Sequence, residues 1–127
     1  DYGTFPIWHA ECQLEMMNLH TGEIVMMDAA NSDRSDTYHS WSSSSRWFVF
    51  ASKRGDGKNG KPYFCHIDES GHFTKPFVLP QEDPWHYENT LRSFNIPDLS
   101  DGSVNFDAET IGRMVKETET EVFSARR

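Results

Sequence analysis

Histidine is the residue type whose placement in this chain comes nearest to a catalytic or metal-binding constellation. His9 and His39 each lie near a tryptophan, in the runs Ile7-Trp8-His9 and His39-Ser40-Trp41. Imidazole ligates metals and moves protons near neutral pH. A metal site needs at least three protein ligands and outer partners that orient them, and this chain offers one or two. The bland reading is therefore preferred: His39 as a hydrogen-bonding residue and His9 as a loop residue. His66 and His72 read as surface residues. Arg54 and Asp56, in the run Arg54-Gly55-Asp56-Gly57, could pair with each other or hold a ligand. A run that closes a loop between two strands reads first as turn geometry, and the Arg-Gly-Asp tripeptide is too short to argue adhesion. Ser42 to Ser45 lacks a G-x-S-x-G elbow, so serine nucleophile chemistry has no support. No phosphate-cradling glycine motif is present. Trp8, Trp41, Trp47 and Trp85 could stack on sugars, although Trp47 reads as core. No catalytic residue, metal or cofactor is expected. His9, His39, Trp41, Arg54 and Asp56 remain as candidate ligand-binding positions.

Composition narrows the partners. The 127 residues carry 20 acidic and 12 basic side chains, a net charge of −8. Such a balance disfavours a nucleic-acid phosphate surface and fits a solvated acidic exterior. No apolar run is long enough to span a membrane. With neither an initiator Met nor a signal peptide, the chain is expected to start mid-protein or after processing. Cys12 and Cys65 form no C-x-x-C pattern and read as small buried hydrophobes, with a disulfide between them the lesser alternative.

The stretch 38–80 must position the candidates, and it reads as four short strands. Residues 38–41 alternate large and small. A serine turn follows, and its hydroxyls can satisfy backbone groups locally. Residues 47–50 are aromatic and β-branched, the composition of a strand buried on both faces. A glycine-rich loop leads to a strand at 62–67. A tight turn around Gly71 leads to a fourth strand at 73–79, marked as an edge by Pro76. A four-stranded meander of this kind is the unit of a β-propeller. Trp41, Trp47, Val49, Phe50, Tyr63, Phe64 and Ile67 are expected to form its core. Upstream, residues 14–19 and 23–27 flank Gly22 as a hairpin, with the two turn glycines roughly 49 residues apart, about one blade. Residues 1–28 thus read as the outer half of a preceding blade, with residues 1–3 in its inter-strand loop. Residues 29–80 read as linker and complete blade. Residues 81–127 read as an aromatic segment, a helix and a charged tail. In that last part, 85–92 suggests one or two helical turns. Asp107 reads as the N-cap of a helix over 108–116, with Phe106 and Ile111 at staple spacing and a stripe of Ile111, Met114, Val115 and Val122.

The order of motifs in the central stretch resembles the repeat of TolB-like propellers of the bacterial cell envelope. The matching residues are Trp41-Ser42, the strand 47–50, Ser52-Lys53-Arg54 and Asp56-Gly57. The turn Ser43-Ser44-Ser45-Arg46 departs from the repeat, lacking its Pro, Asp and Gly. The whole chain is more distantly similar to the C-terminal end of TolB-like proteins from Bacteroidetes-type bacteria. The resemblance implies a mainly all-β fold: a partial propeller of one full blade, half of a preceding one and a short C-terminal helix. It implies a non-catalytic interaction scaffold in the periplasm or outer envelope, binding a protein partner or its own copies through blade faces. It also leaves two rivals. Related propellers include oligogalacturonate lyases, which hold a channel metal with histidines from several blades; His39, on an inner strand, would lie near such a channel. The other rival is the accessory propeller of a serine peptidase.

Overall fold

The structure, a computed structural model, describes residues 5–117. It is mainly β: a two-stranded antiparallel sheet and a four-stranded antiparallel meander, followed by short helices. The small sheet pairs β1 (Glu15–Met17) with β2 (Ile24–Met26). The meander runs in chain order through β3 (Asp36–Trp41), β4 (Trp47–Ser52), β5 (Lys61–His66) and β6 (Phe77–Val78). Helix α1 is His86–Asn89 and α2 is Ala108–Glu117.

The meander forms where the sequence places it. The serine turn between β3 and β4 closes on its own hydroxyls: Trp47 N–H donates to Ser42 Oγ and Arg46 N–H to Ser44 Oγ. β4 pairs along its full length with β5, Trp47 opposite His66 and Ser52 opposite Lys61. Two strands differ from expectation. β3 starts two residues early, and its register shifts between Thr37 and Ser40, with Tyr38 in the left-handed region at φ 53°. That bulge twists the strand away from ideal pairing. The fourth strand shrinks to two residues, preceded by one isolated bridge between Ile67 and Phe73. Pro76 lies in this interval and has no N–H to give a ladder.

Alternation along β4 and β5 gives the meander two faces. Phe48, Phe50 and Ser52 share the first face with Tyr63 and Cys65. The core sits there: Phe48, Phe50 and Cys65 pack with Leu14, Met27 and Ala30 from the small sheet and its connection. Asn31 fastens that connection, bonding the Leu14 N–H and carbonyl through its side-chain amide. Of the expected core, Val49, Phe50 and Ile67 are buried, and Tyr63 and Phe64 are half-buried. The two tryptophans correct the expectation, Trp41 being 38% and Trp47 39% exposed. Trp41 ends β3 beside an open cleft. Trp47 starts β4 on the second face, which is covered only in part. Phe48, absent from the expected list, takes the central place instead.

The second face carries Trp47, Val49 and Phe64, and the chain's own tail partly seals it. Phe94, Ile96 and Pro97 lie across Val49 and Phe64. Phe94 N–H donates to the Gly60 carbonyl at 2.8 Å, and Gly60 N–H to Ser93 Oγ. A Cβ at Gly60 would lie 3.2 Å from Ile7 and from the Phe94 carbonyl, so a larger residue would push the tail outward by a few tenths of an ångström. Ser40 Oγ donates to the Asp98 carboxylate. The cover is thus residues 93–99, not the helix. α1 is a single turn, anchored by Tyr87, whose hydroxyl donates to the Leu79 carbonyl. α2 is capped as expected, Thr110 N–H donating to Asp107 Oδ1 at 2.7 Å. Its stripe is exposed, however, as are Phe106 and Ile111 at the staple positions. The expectations for residues 1–3, for Val122 and for the charged end 118–127 lie outside the described residues.

Candidate functional site

Arg54 is held at the centre of the first face. It follows β4 by two residues, and its side chain folds back over the strand. Nε donates to Ser52 Oγ at 2.7 Å, and Nη2 to Asp36 Oδ1 at 2.8 Å and to the Ala30 carbonyl. The guanidinium carbon lies 4.6 Å above the Tyr63 ring centroid and 5.3 Å from that of Phe50. Asp36 Oδ2 accepts from Ser32 N–H at 2.6 Å and from Ser32 Oγ at 2.7 Å. The Asp36 side chain is fully buried, and that of Arg54 is 19% exposed. One ion pair therefore ties the linker, β3, β4 and β5 together. Both Asp36 carboxylate oxygens and Arg54 Nε and Nη2 are engaged by protein partners, so the pair locks structure.

Arg54 thus pairs with Asp36 and not with Asp56, the lesser of the roles weighed for that run. Asp56 faces its own turn, accepting the N–H groups of Lys58 and Asn59 at 2.8 and 3.1 Å. Those backbone donors hold its carboxyl below the usual range, the Lys58 bond contributing most. Asp36 was missed because it sits in a run of Asn, Ser and Asp that reads as a loop. Nothing in its neighbourhood distinguishes it from Asp33, which lies in the exposed part of that run.

The other candidates are dispersed. His9 lies 3.3 Å from Glu11 and is half-buried. His39 is exposed on the bulge of β3. Among the described residues, no three His, Cys, Asp or Glu side chains converge as metal ligands. Both cysteines are free thiols, Cys65 buried and Cys12 half-buried. Burial raises the Cys65 pKa, and its Sγ donates to the Thr74 carbonyl at 3.0 Å. His72 is exposed, but His66 is half-buried with its ring 4.7 Å from Trp47.

Among the described residues, two apolar clefts border the candidate positions and the open half of the second face. The first, about 290 Å³, runs between Leu14–Met17 and the side of the meander at His39, Trp41 and Phe48. Trp41 and His39 meet here, the one pairing of sequence candidates that the fold achieves. The second, about 410 Å³ and shallower, lies on the second face between Trp47, Phe64, Phe77, Leu79 and Leu99. Aromatic rings floor it: Phe64 stacks on Phe77 at 6.0 Å, and Trp47 meets Phe77 edge-on at 6.2 Å. Among the described residues, no helix is long and apolar enough to cross a membrane. No protein-family model matches this chain, and no curated protein or solved structure matches it either.

Proposed function

We propose that the meander is one blade of a TolB-like propeller, and that the chain is a non-catalytic scaffold that binds protein through its blade faces. The supporting observation is the second face. Trp47 and Phe77 stay 39% and 45% exposed there, on a rigid floor of paired strands, beside a tail that covers only the other half. Contiguous exposed aromatics on a fixed sheet mark interaction surfaces. Strand order, the capped hairpin upstream and the motif order of the central stretch support the propeller assignment. The cell-envelope location follows from the TolB-like resemblance. The first occupant of the face is another copy of the chain.

The test is solution mass. Sedimentation of the purified chain should give a mass above the 14.7 kDa of one chain. Net charge −8 opposes association, so added salt should strengthen it. Phe77→Asp, a half-exposed position, should return the chain to monomer without unfolding it. A monomer at high concentration and high salt would overturn the reading of this face.

A further inference from the structure

The tail 93–99 crosses the second face as a strap fastened at its two ends. At one end Phe94 N–H donates to the Gly60 carbonyl and Gly60 N–H to Ser93 Oγ, both at 2.8 Å. At the other, Ser40 Oγ donates to the Asp98 carboxylate, which also accepts the Leu99 N–H at 2.9 Å. Among the described residues, no hydrogen bond joins the stretch 95–97 to the meander between these clasps. Pro97 has no N–H to offer, and no strand pairing runs through 93–99.

The strap fits its bed loosely. An open space of about 270 Å³ remains between residues 94–98 and Val49, Pro62, Phe64 and Leu79 of the meander and its end. Ile96, near the middle of the strap, is 74% exposed instead of filling that space. A cover that leaves a gap forfeits the contacts that a close-packed partner would make.

Phe64 and Leu79 line both this space and the open cleft beside Trp47 and Phe77. The second face is therefore one apolar surface, and the strap divides it. Val49 and Pro62 lie buried on the strap's side. A stable protein interface buries about 800 Å² on each partner. The half-exposed Trp47, Phe77 and Leu79 present only part of that.

We propose that residues 93–99 act as an autoinhibitory strap: they occupy ground that a second copy of the chain needs, and they lift from Gly60 and Ser40 when that copy docks. Self-association then exchanges a loose cover within one chain for close packing between two. This rests on the scaffold reading and adds what holds its surface half closed in the single chain.

The test follows the full chain by sedimentation and by hydrogen exchange read by NMR. As concentration rises and dimer forms, the Phe94 amide should lose protection by about tenfold or more, while the amides of β4 and β5 keep theirs. Ser93 and Asp98 are exposed, so cutting both clasps with Ser93→Ala and Asp98→Ala should leave the meander folded. That double variant should associate about tenfold more tightly than the parent chain, a change sedimentation resolves as a shift in Kd. Removing a carboxylate from a chain of net charge −8 also favours association, so Asp98→Asn is the control. It keeps an oxygen for Ser40 without the charge, and should associate as the parent does. Equal gains for Asp98→Asn and Asp98→Ala would assign the effect to charge and overturn the proposal. Unchanged association in the double variant, or a dimer in which the Phe94 amide stays protected, would overturn it while the scaffold reading stands. A chain monomeric in every variant would overturn both.

Discussion

Asp36 buries a whole carboxylate, and Arg54 supplies the charge that matches it. Removing one partner leaves the other buried and uncompensated, which costs about 3–5 kcal/mol. Asp36→Ala should therefore lower stability in urea by about that amount, whereas Asp56→Ala, which loses only turn bonds, should cost about 1 kcal/mol. Arg54→Lys should recover part of the loss at best. A lysine cannot keep both the Ser52 bond and the flat contact with Tyr63. Equal costs for Asp36→Ala and Asp56→Ala would contradict the placement of the pair. The sequence singled out Arg54, but reading its run first as turn geometry left its partner Asp36 unseen. Neighbours in sequence were legible; a contact across 18 residues between a loop-like aspartate and a strand end was not.

Strands and caps were more legible than burial. The aromatic run 47–50 announced β4, and Asp107 announced the start of α2. Which face of β4 would be covered depended on the tail, whose irregular path has no period to read. The consequence is an inversion within one strand. Phe50→Ala should cost about 3–5 kcal/mol, the range for a buried large side chain, and Trp47→Ala clearly less. Denaturant unfolding of both variants checks this, and a larger loss for Trp47→Ala would refute the assignment of faces. At the start of α2, the bond from Thr110 holds the Asp107 carboxyl below its usual range. A carboxyl lowered in the folded state stabilises the cap above the ordinary carboxylate range, and that contribution vanishes as pH falls through the lowered value. Amide shifts of 108–111 should show the helix start fraying on acidification, and Asp107→Ala should show the same fraying at neutral pH. A helix start indifferent to both would rule out the cap.

At the scale of the molecule, the four-stranded meander and the upstream hairpin could be read from spacing alone, since their turns are marked by glycines at 22, 55, 57 and 71 and by a serine run at 42–45. The sequence could not reveal that residues 93–99 would seal half of the second face and leave the aromatic half open. That asymmetry depends on Gly60 and on Ser40 meeting Asp98, contacts without a local signature. The account's central claim is that the open half, centred on Phe77, is a surface for protein. Placing the photo-crosslinking residue p-benzoyl-phenylalanine at position 77 and mapping its adducts by mass spectrometry tests this most directly. The account predicts covalent dimers whose crosslinks join position 77 of one chain to Trp47, Leu79 or Leu99 of another, growing with concentration. Adducts confined to the same chain or to solvent at every concentration would contradict it.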